Sequence, residues 1–97
     1  MVIRALDYVP HCYTWDTGDV LAKIIRVAFA RNDDITISFA GVTDIPSSFA
    51  NGAFISLLDT YSYDYIRAHL TITDCTRQIS DMIKRRFSFE TTRPRAA

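Results

Sequence analysis

The chain has 97 residues and 48% of them are hydrophobic, which suits one small domain with its own core and leaves too little chain for two. Its 11 basic and 11 acidic residues balance, but ten acidic and six basic residues lie in 1–83, whereas 84–97 hold five basic residues and one acidic residue. Such an acidic body argues against nucleic acid as a partner. Cys12 and Cys75 have no metal-ligand spacing, and no apolar run approaches the roughly 18 residues of a membrane span, so we expect a cytoplasmic protein without membrane contact.

The start of the chain predicts a β-hairpin. Val2 to Val9 would form the first strand, Pro10-His11 would turn the chain, and Cys12 to Trp15 would return as the second strand. The turn lacks the Asn-Gly or Asp-Gly pair that is typical of tight hairpins, so the prediction rests on the two apolar segments.

A helix is expected next, because Thr17 and Asp19 are both residues that favour an N-cap. Its end is predicted near Arg31, with Asn32 as the residue that stops it. The apolar residues that repeat at helical spacing within it are Leu21, Ile24, Ile25, Ala28 and Phe29. This helix separates the hairpin from the central strand.

Residues 35–58 predict a buried strand, a tight loop and an amphipathic helix, and the rest of the chain is arranged around them. The strand covers 35–39, where Ile and Phe alternate with Thr and Ser. The helix is expected to begin at Ser47 or Ser48, because a serine hydroxyl can accept a hydrogen bond from a free N–H of the first turn. Its apolar stripe consists of Phe49, Ala53, Phe54, Leu57 and Leu58.

The last third of the chain predicts one more strand and one more helix. Residues 65–72 alternate between apolar and other side chains, and the second face is polar, so we expect this strand near an edge of the sheet or with one face partly open. Thr73 or Asp74 is expected to cap the last helix. Its apolar stripe consists of Ile79, Met82, Ile83 and Phe87. The predicted domain covers 1–90, and 91–97 are expected to form a flexible basic tail.

The order of these elements predicts an α/β fold. Strands that alternate with helices are typical of crossover connections and a mostly parallel sheet. With the N-terminal hairpin included, we expect a mixed, mostly parallel four-stranded sheet with three helices on one side.

No motif in the chain predicts catalysis, a metal site or a cofactor. His11 and His69 lie far apart, and neither belongs to a nucleophile or metal motif. The cluster Lys84-Arg85-Arg86 falls in the last turns of a predicted helix, where cations suit the helix dipole. Contact of this cluster with RNA, an anionic membrane or an acidic protein is the alternative to a solvated helix end.

Ser47 and Ser48 allow two interpretations. In the first, one serine caps the helix and the other is exposed beside it. In the second, one of them is a phosphorylation site. A phosphate there would meet the positive end of the helix dipole, so it would leave the helix intact and change the charge of a surface that meets a partner.

The central strand and helix resemble the STAS-like family of small bacterial proteins of unknown function. That family shows a strand of the type DFsGV, then a loop, then sSFa followed by lF and L. The matching residues here are Ser38-Phe39-Ala40-Gly41-Val42, Ser47-Ser48-Phe49-Ala50, Phe54 and Leu57-Leu58. The resemblance implies a β-sheet flanked on one side by helices, which agrees with the element order read from the residues.

The wider superfamily includes the anti-sigma factor antagonists, in which the corresponding junction reads Asp-Ser-Ser-Gly. The second serine of that motif is phosphorylated by a partner kinase of the histidine-kinase-like ATPase type. The resemblance places this role on Ser48 and the first serine on Ser47. Pro46 stands where those proteins have the aspartate, and Phe49 stands where they have the glycine.

We therefore expect a non-enzymatic, cytoplasmic interaction module, a regulator that binds a protein partner such as a kinase-like ATPase. The expected partner-binding residues are Asp44, Pro46, Ser47, Ser48, Phe49 and Asn51, with Ser48 as the phosphorylation candidate. The first alternative is a small-ligand or nucleotide-sensing domain, against which stands the lack of a glycine-rich phosphate loop. An enzyme is the third interpretation. The sequence indicates neither the identity of the partner nor the oligomeric state.

Overall fold

A computed structural model describes residues 1–92 and shows a three-stranded parallel sheet. The strands are β1 (Val2–Arg4), β2 (Ile35–Ser38) and β3 (Leu70–Thr73), and their order in the sheet is β1-β2-β3. Both pairings are parallel. The predicted α/β class is confirmed, whereas the predicted mixed four-stranded sheet is wrong for the described residues.

The predicted N-terminal hairpin is also wrong. β1 ends at Arg4, and Ala5–Asp7 form a 3-10 helix in which the Ala5 carbonyl accepts hydrogen bonds from the N–H groups of Tyr8 and Val9. Residues 12–14 form no strand, and Trp15 already begins a helix. The apolar side chains in this segment are explained by packing on the core: Val9 and Cys12 are buried.

Four α-helices connect and follow the strands: α1 (Trp15–Ala30), α2 (Ser47–Ala53), α3 (Tyr63–His69) and α4 (Arg77–Thr92). A second 3-10 helix, Ile55–Asp59, follows α2 after Phe54. The sequence predicted three helices, and the additional one is α3. None of the described helices is long and apolar enough to cross a membrane.

The ends of α1 follow from local hydrogen bonds. Thr14 is the N-cap: its hydroxyl accepts from the N–H of Thr17, and the Thr17 hydroxyl lies 3.4 Å from the N–H of Thr14, which completes a capping box. The helix therefore begins two residues before Thr17, the earlier of its two predicted caps. Asn32 stops it as predicted, with a φ of 57°, while the N–H of Asp33 donates to the Ala28 carbonyl in a Schellman motif.

The start of the predicted strand 65–72 is helical, which is a further correction. Ser62 is the N-cap of α3 and accepts a hydrogen bond from the N–H of Tyr65. Tyr65 packs edge-to-face on Phe29, with ring centroids 5.2 Å apart, and tilts against His69 at 4.3 Å. A residue and its neighbour four positions later meet only on a helix, so this aromatic packing favours α3 over a strand. The strand proper is β3, and it is an edge strand, as predicted.

One face of the sheet carries the core. Ile3, Ile37 and Ile72 are register partners on that face, and the first two are buried. The opposite face carries Val2, which is 74% exposed, and its partner Thr36. Helices therefore cover the isoleucine face, and α1 packs mainly on α2.

The predicted last helix and its apolar stripe are confirmed, but the helix begins later than predicted. Ile79, Ile83 and Phe87 are buried, but the helix begins at Arg77, and the Thr76 hydroxyl accepts from the N–H of Ile79. The cap is therefore Thr76 and not Thr73 or Asp74. α4 continues to Thr92, so it includes the first two residues of the predicted tail 91–97, and the rest of that tail lies outside the described residues.

Candidate functional site

The chain leaves β2 through a tight turn. The N–H of Val42 donates to the Phe39 carbonyl at 2.9 Å, and Gly41 has a φ of 87°. That φ lies in the left-handed region, which glycine adopts without steric cost and which the third position of a type II turn requires. The turn directs the following loop towards the start of α4.

Side chains from the start of α4 fix this loop, which spans Thr43 to Pro46. The Gln78 amide donates to the carbonyl of Ile45 and accepts from its N–H, each at 2.9 Å. The Thr76 hydroxyl donates to the Thr43 carbonyl at 2.7 Å. Asp44 is exposed between these two attachments, and its carboxylate accepts from the Thr43 hydroxyl at 3.2 Å. The loop therefore presents Asp44 on a braced backbone.

α2 begins at Ser47, as predicted, but no serine caps it. Pro46 occupies the N-cap position with an extended backbone, and it has no side-chain donor or acceptor to offer the first turn. Ser47 and Ser48 are both exposed in the first turn of the helix. The Ser48 hydroxyl donates instead to the backbone carbonyl of Tyr13, at 3.4 Å, and so connects the first turn of α2 to the segment before α1.

Phe49 and Asn51, the remaining predicted site residues, attach α2 to the rest of the domain. Phe49 is fully buried, and its ring packs edge-to-face on Phe39 with centroids 6.2 Å apart. Its ring therefore supports the surface and is not part of it. The Asn51 side-chain oxygen accepts from Arg86 at 2.8 Å, and Arg86 also pairs with Glu90 at 2.8 Å. Asn51 thus connects α2 to α4.

Two glycines bring α1 and α2 into backbone contact. A Cβ atom on Gly52 would lie 2.3 Å from the carbonyl oxygen of Trp15, and one on Gly18 would lie 2.5 Å from that of Phe49. Both distances are far shorter than any real Cβ contact, so only glycine permits this approach. The contact holds the first turn of α1 against α2, which is why Trp15 lies close to the serines.

An aromatic surface beside the serines was missed by the sequence analysis. Tyr13 is 55% exposed and Trp15 is 47% exposed. His11 stacks on Tyr13 with ring centroids 5.6 Å apart. We call Ser47, Ser48, Tyr13 and Trp15 the serine–aromatic corner. The sequence signal that could have revealed this surface is the pair Thr14 and Thr17, whose spacing is typical of a helix N-cap. A helix that starts at Trp15 leaves no room for a strand over residues 12–15 and places Tyr13 and Trp15 at the helix start.

A metal site would require several ionisable groups of the described residues to lie close together. Among residues 1–92, no group of three or more His, Cys, Asp or Glu side chains lies close enough together to hold a metal ion. His69 pairs with Asp34 at 2.7 Å, at the opposite end of the sheet from the corner. Burial raises the pKa of the Cys12 thiol to about 11, which keeps it protonated and unreactive at neutral pH.

The fold and the corner define a class: a small parallel α/β domain whose central strand leads through a braced loop to a helix with two exposed serines. The chain matches the STAS-like domain of unknown function (DUF4325) over residues 17–80, and it belongs to that family. The resemblance drawn from residues 35–58 is thereby confirmed. Searches of curated proteins and of solved structures give no match.

Proposed function

We propose that this chain is a non-enzymatic regulatory module that binds a protein partner through the serine–aromatic corner, and that charge at Ser48 controls the binding. The partner class that the family resemblance suggests is a histidine-kinase-like ATPase. The observation that carries the proposal is the hydrogen bond from the exposed Ser48 hydroxyl to the backbone carbonyl of Tyr13. This bond connects Ser48 to the segment in which Tyr13 and Trp15 are half-exposed.

The composition of the corner supports a protein contact. Tyr and Trp are enriched at protein interfaces because they bury much apolar area at a small cost in side-chain entropy. The braced loop and the glycine contact fix the corner before binding, so little conformational entropy remains to be lost. Asp44 and Pro46 flank the same surface, whereas Phe49 and Asn51 support it.

The hydrogen bond of Ser48 supplies the means of control. The Ser48 hydroxyl donates its proton to the Tyr13 carbonyl. A phosphoserine has no hydroxyl proton to donate and brings negative oxygens towards a carbonyl oxygen. We expect the phosphate to repel the backbone of Tyr13, to displace the aromatic segment and to impose a desolvation cost on the contact. The fold is retained, because an acidic group in the first turn of a helix is tolerated.

The test compares two neighbouring serines. The wild-type chain is immobilised to isolate the partner, and the dissociation constant is then measured for Ser48→Ala, Ser48→Asp and the matched control Ser47→Asp. We expect Ser48→Asp to weaken binding by about tenfold or more, which corresponds to about 1.4 kcal/mol or more. Ser47→Asp adds the same charge without removing the bond to Tyr13, so its effect is expected to be smaller.

Three results would contradict the proposal. Equal affinity of folded Ser48→Asp and wild type would make Ser48 a structural residue. An equal loss in Ser47→Asp would show a general charge effect and no role for the Tyr13 bond. A nucleotide that raises the melting temperature of the isolated chain, with no protein partner recovered, would favour the ligand-sensing alternative.

A further inference from the structure

The outer edge of β3 has no neighbouring strand among the described residues, and the backbone N–H and C=O of Ile72 point outwards along it. The N–H of Phe39, just after β2, donates to the carbonyl of Thr73. In a parallel ladder, alternate residues direct their backbone groups to the same neighbour, so Thr71 and Thr73 face β2 and Ile72 faces outwards. Within residues 1–92, no strand pairs with this side of β3, and the backbone N–H and C=O of Ile72 have no partner there.

A groove lies beside this edge on the helix-covered side of the sheet. It has a volume of about 190 Å³ and is lined by Ile72, Cys75, Ser80, Ile83 and Lys84. An engineered cavity of roughly 150 Å³ can hold a benzene molecule, so this groove has room for one apolar side chain. Ile72 thus contributes both the unpaired backbone and an apolar wall of the groove.

β3 lacks the features that usually prevent an edge strand from pairing with another strand. β3 reads Leu-Thr-Ile-Thr, with no charged residue, proline or bulge. β1, the other edge strand, ends in Arg4 and has an exposed Arg4–Asp7 ion pair beside it. An uncharged edge with outward-facing backbone groups is a template for another strand.

We propose that the occupant is a second copy of this chain, bound by antiparallel pairing of the two β3 strands about a two-fold axis through Ile72. Antiparallel pairing about such an axis is self-complementary: each Ile72 donates its N–H to the carbonyl of the other and accepts in return. Directly opposed residues project to the same face, so each Ile72 side chain also enters the shared groove. The product is a continuous six-stranded sheet.

Charge on α4 is self-complementary about the same axis. Asp81 and Lys84 are both exposed and, at three positions apart, lie on the same side of α4, where Lys84 lines the groove. They form no ion pair with each other among the described residues. Two α4 helices that run antiparallel across the axis bring Asp81 of each copy towards Lys84 of the other. This pairing distinguishes a second copy from an unrelated strand, because both charges are supplied by one helix.

Sedimentation velocity from low micromolar to millimolar concentration tests the proposal. We expect a monomer–dimer equilibrium in the wild type. Ile72→Pro removes the outward N–H, and we expect it to abolish the dimer. Val2→Pro is the matched control: the N–H of Thr36 donates to the Met1 carbonyl, so Val2 faces outwards from β1 as Ile72 does from β3, and this variant is expected to dimerise like the wild type.

Charge exchange on α4 gives a second test that leaves the sheet unchanged. Asp81→Lys and Lys84→Asp are each expected to weaken dimerisation by about tenfold, because each places like charges together twice per dimer. An equimolar mixture of the two variants restores both opposite-charge contacts and is expected to form the heterodimer. This set decides the question if Ile72→Pro fails to fold.

The proposal is overturned by a wild type that stays monomeric at millimolar concentration. It is also overturned by a dimer that Val2→Pro weakens and folded Ile72→Pro does not, since that result places the contact at β1. Single charge variants with unchanged dimerisation, or a mixture that does not recover, would exclude the antiparallel arrangement of α4. The Ser48 experiment is independent of these results.

Discussion

Replacing Gly52 by alanine tests the packing that positions the serine–aromatic corner, because two physical effects predict opposite outcomes. Alanine in a helix interior is more favourable than glycine by about 1 kcal/mol, so helix propensity predicts a more stable protein. The new Cβ, however, would lie 2.3 Å from the carbonyl oxygen of Trp15 and 3.1 Å from its carbonyl carbon. Both are backbone atoms, which cannot turn away as the end of a flexible side chain can.

The magnitude follows from the separation that the helices require. Ordinary contact begins near 3.4 Å, so α1 and α2 must move apart by about 1 Å at this point. Overpacking of this kind costs up to about 3 kcal/mol, and the gain in propensity offsets about 1 kcal/mol. The net loss is about 2 kcal/mol, which lowers the melting temperature of a domain of this size by about 10 °C.

Urea unfolding and thermal melting, both followed by circular dichroism, measure this loss. Ser47→Ala is the control, because it changes an exposed residue of the same helix, and we expect its stability to lie within about 0.5 kcal/mol of the wild type. Gly18→Ala places a Cβ 2.5 Å from the Phe49 carbonyl in the same interface and is expected to behave like Gly52→Ala. A Gly52→Ala protein as stable as the wild type would refute the backbone contact.

Two further predictions concern buried side chains. Phe49→Ala removes a fully buried ring that packs on Phe39, and we expect it to lower the free energy of unfolding by about 3–5 kcal/mol. Val27→Ala, at a site that is 50% exposed, is the control and should be nearly neutral. If Phe49→Ala changes the melting temperature by no more than a degree or two, Phe49 is not a core residue. In Cys75→Ser, the remaining thiol is Cys12, and we expect it to react with a thiol reagent at pH 8 only in denaturant. Because burial raises the pKa of Cys12 from 9.0 to about 11, the unfolded chain releases this proton first, so stability should fall as the pH rises from 9.0 to about 11. Rapid labelling of native Cys75→Ser, or an equally steep decline in Cys12→Ala, would contradict this interpretation.

The serine–aromatic corner could be predicted in part. The strand at Ile35 and the burial of Phe49 are confirmed, because each depends on periodicity within a few residues. The helix start at Ser47 is also confirmed, although the cap is Pro46 and not a serine. Tyr13 and Trp15 were misplaced in a hairpin strand. Their position depends on Gly18 and Gly52, which are far apart in the chain and reveal their role only when α1 and α2 meet.

The sequence by itself determined the long helices, because their apolar residues repeat with the helical period over several turns. α1 and α4 are 16 residues long, and such a length distinguishes helical spacing from alternation. Residues 65–69 are too short for that distinction, since alternating residues also fit one helical turn and a half. The packing of Tyr65 on Phe29, 36 positions earlier, decided their structure. Tertiary contacts decided these short segments because five residues gain too few local hydrogen bonds to fix their own conformation, so the free energy of burying an aromatic ring determines it.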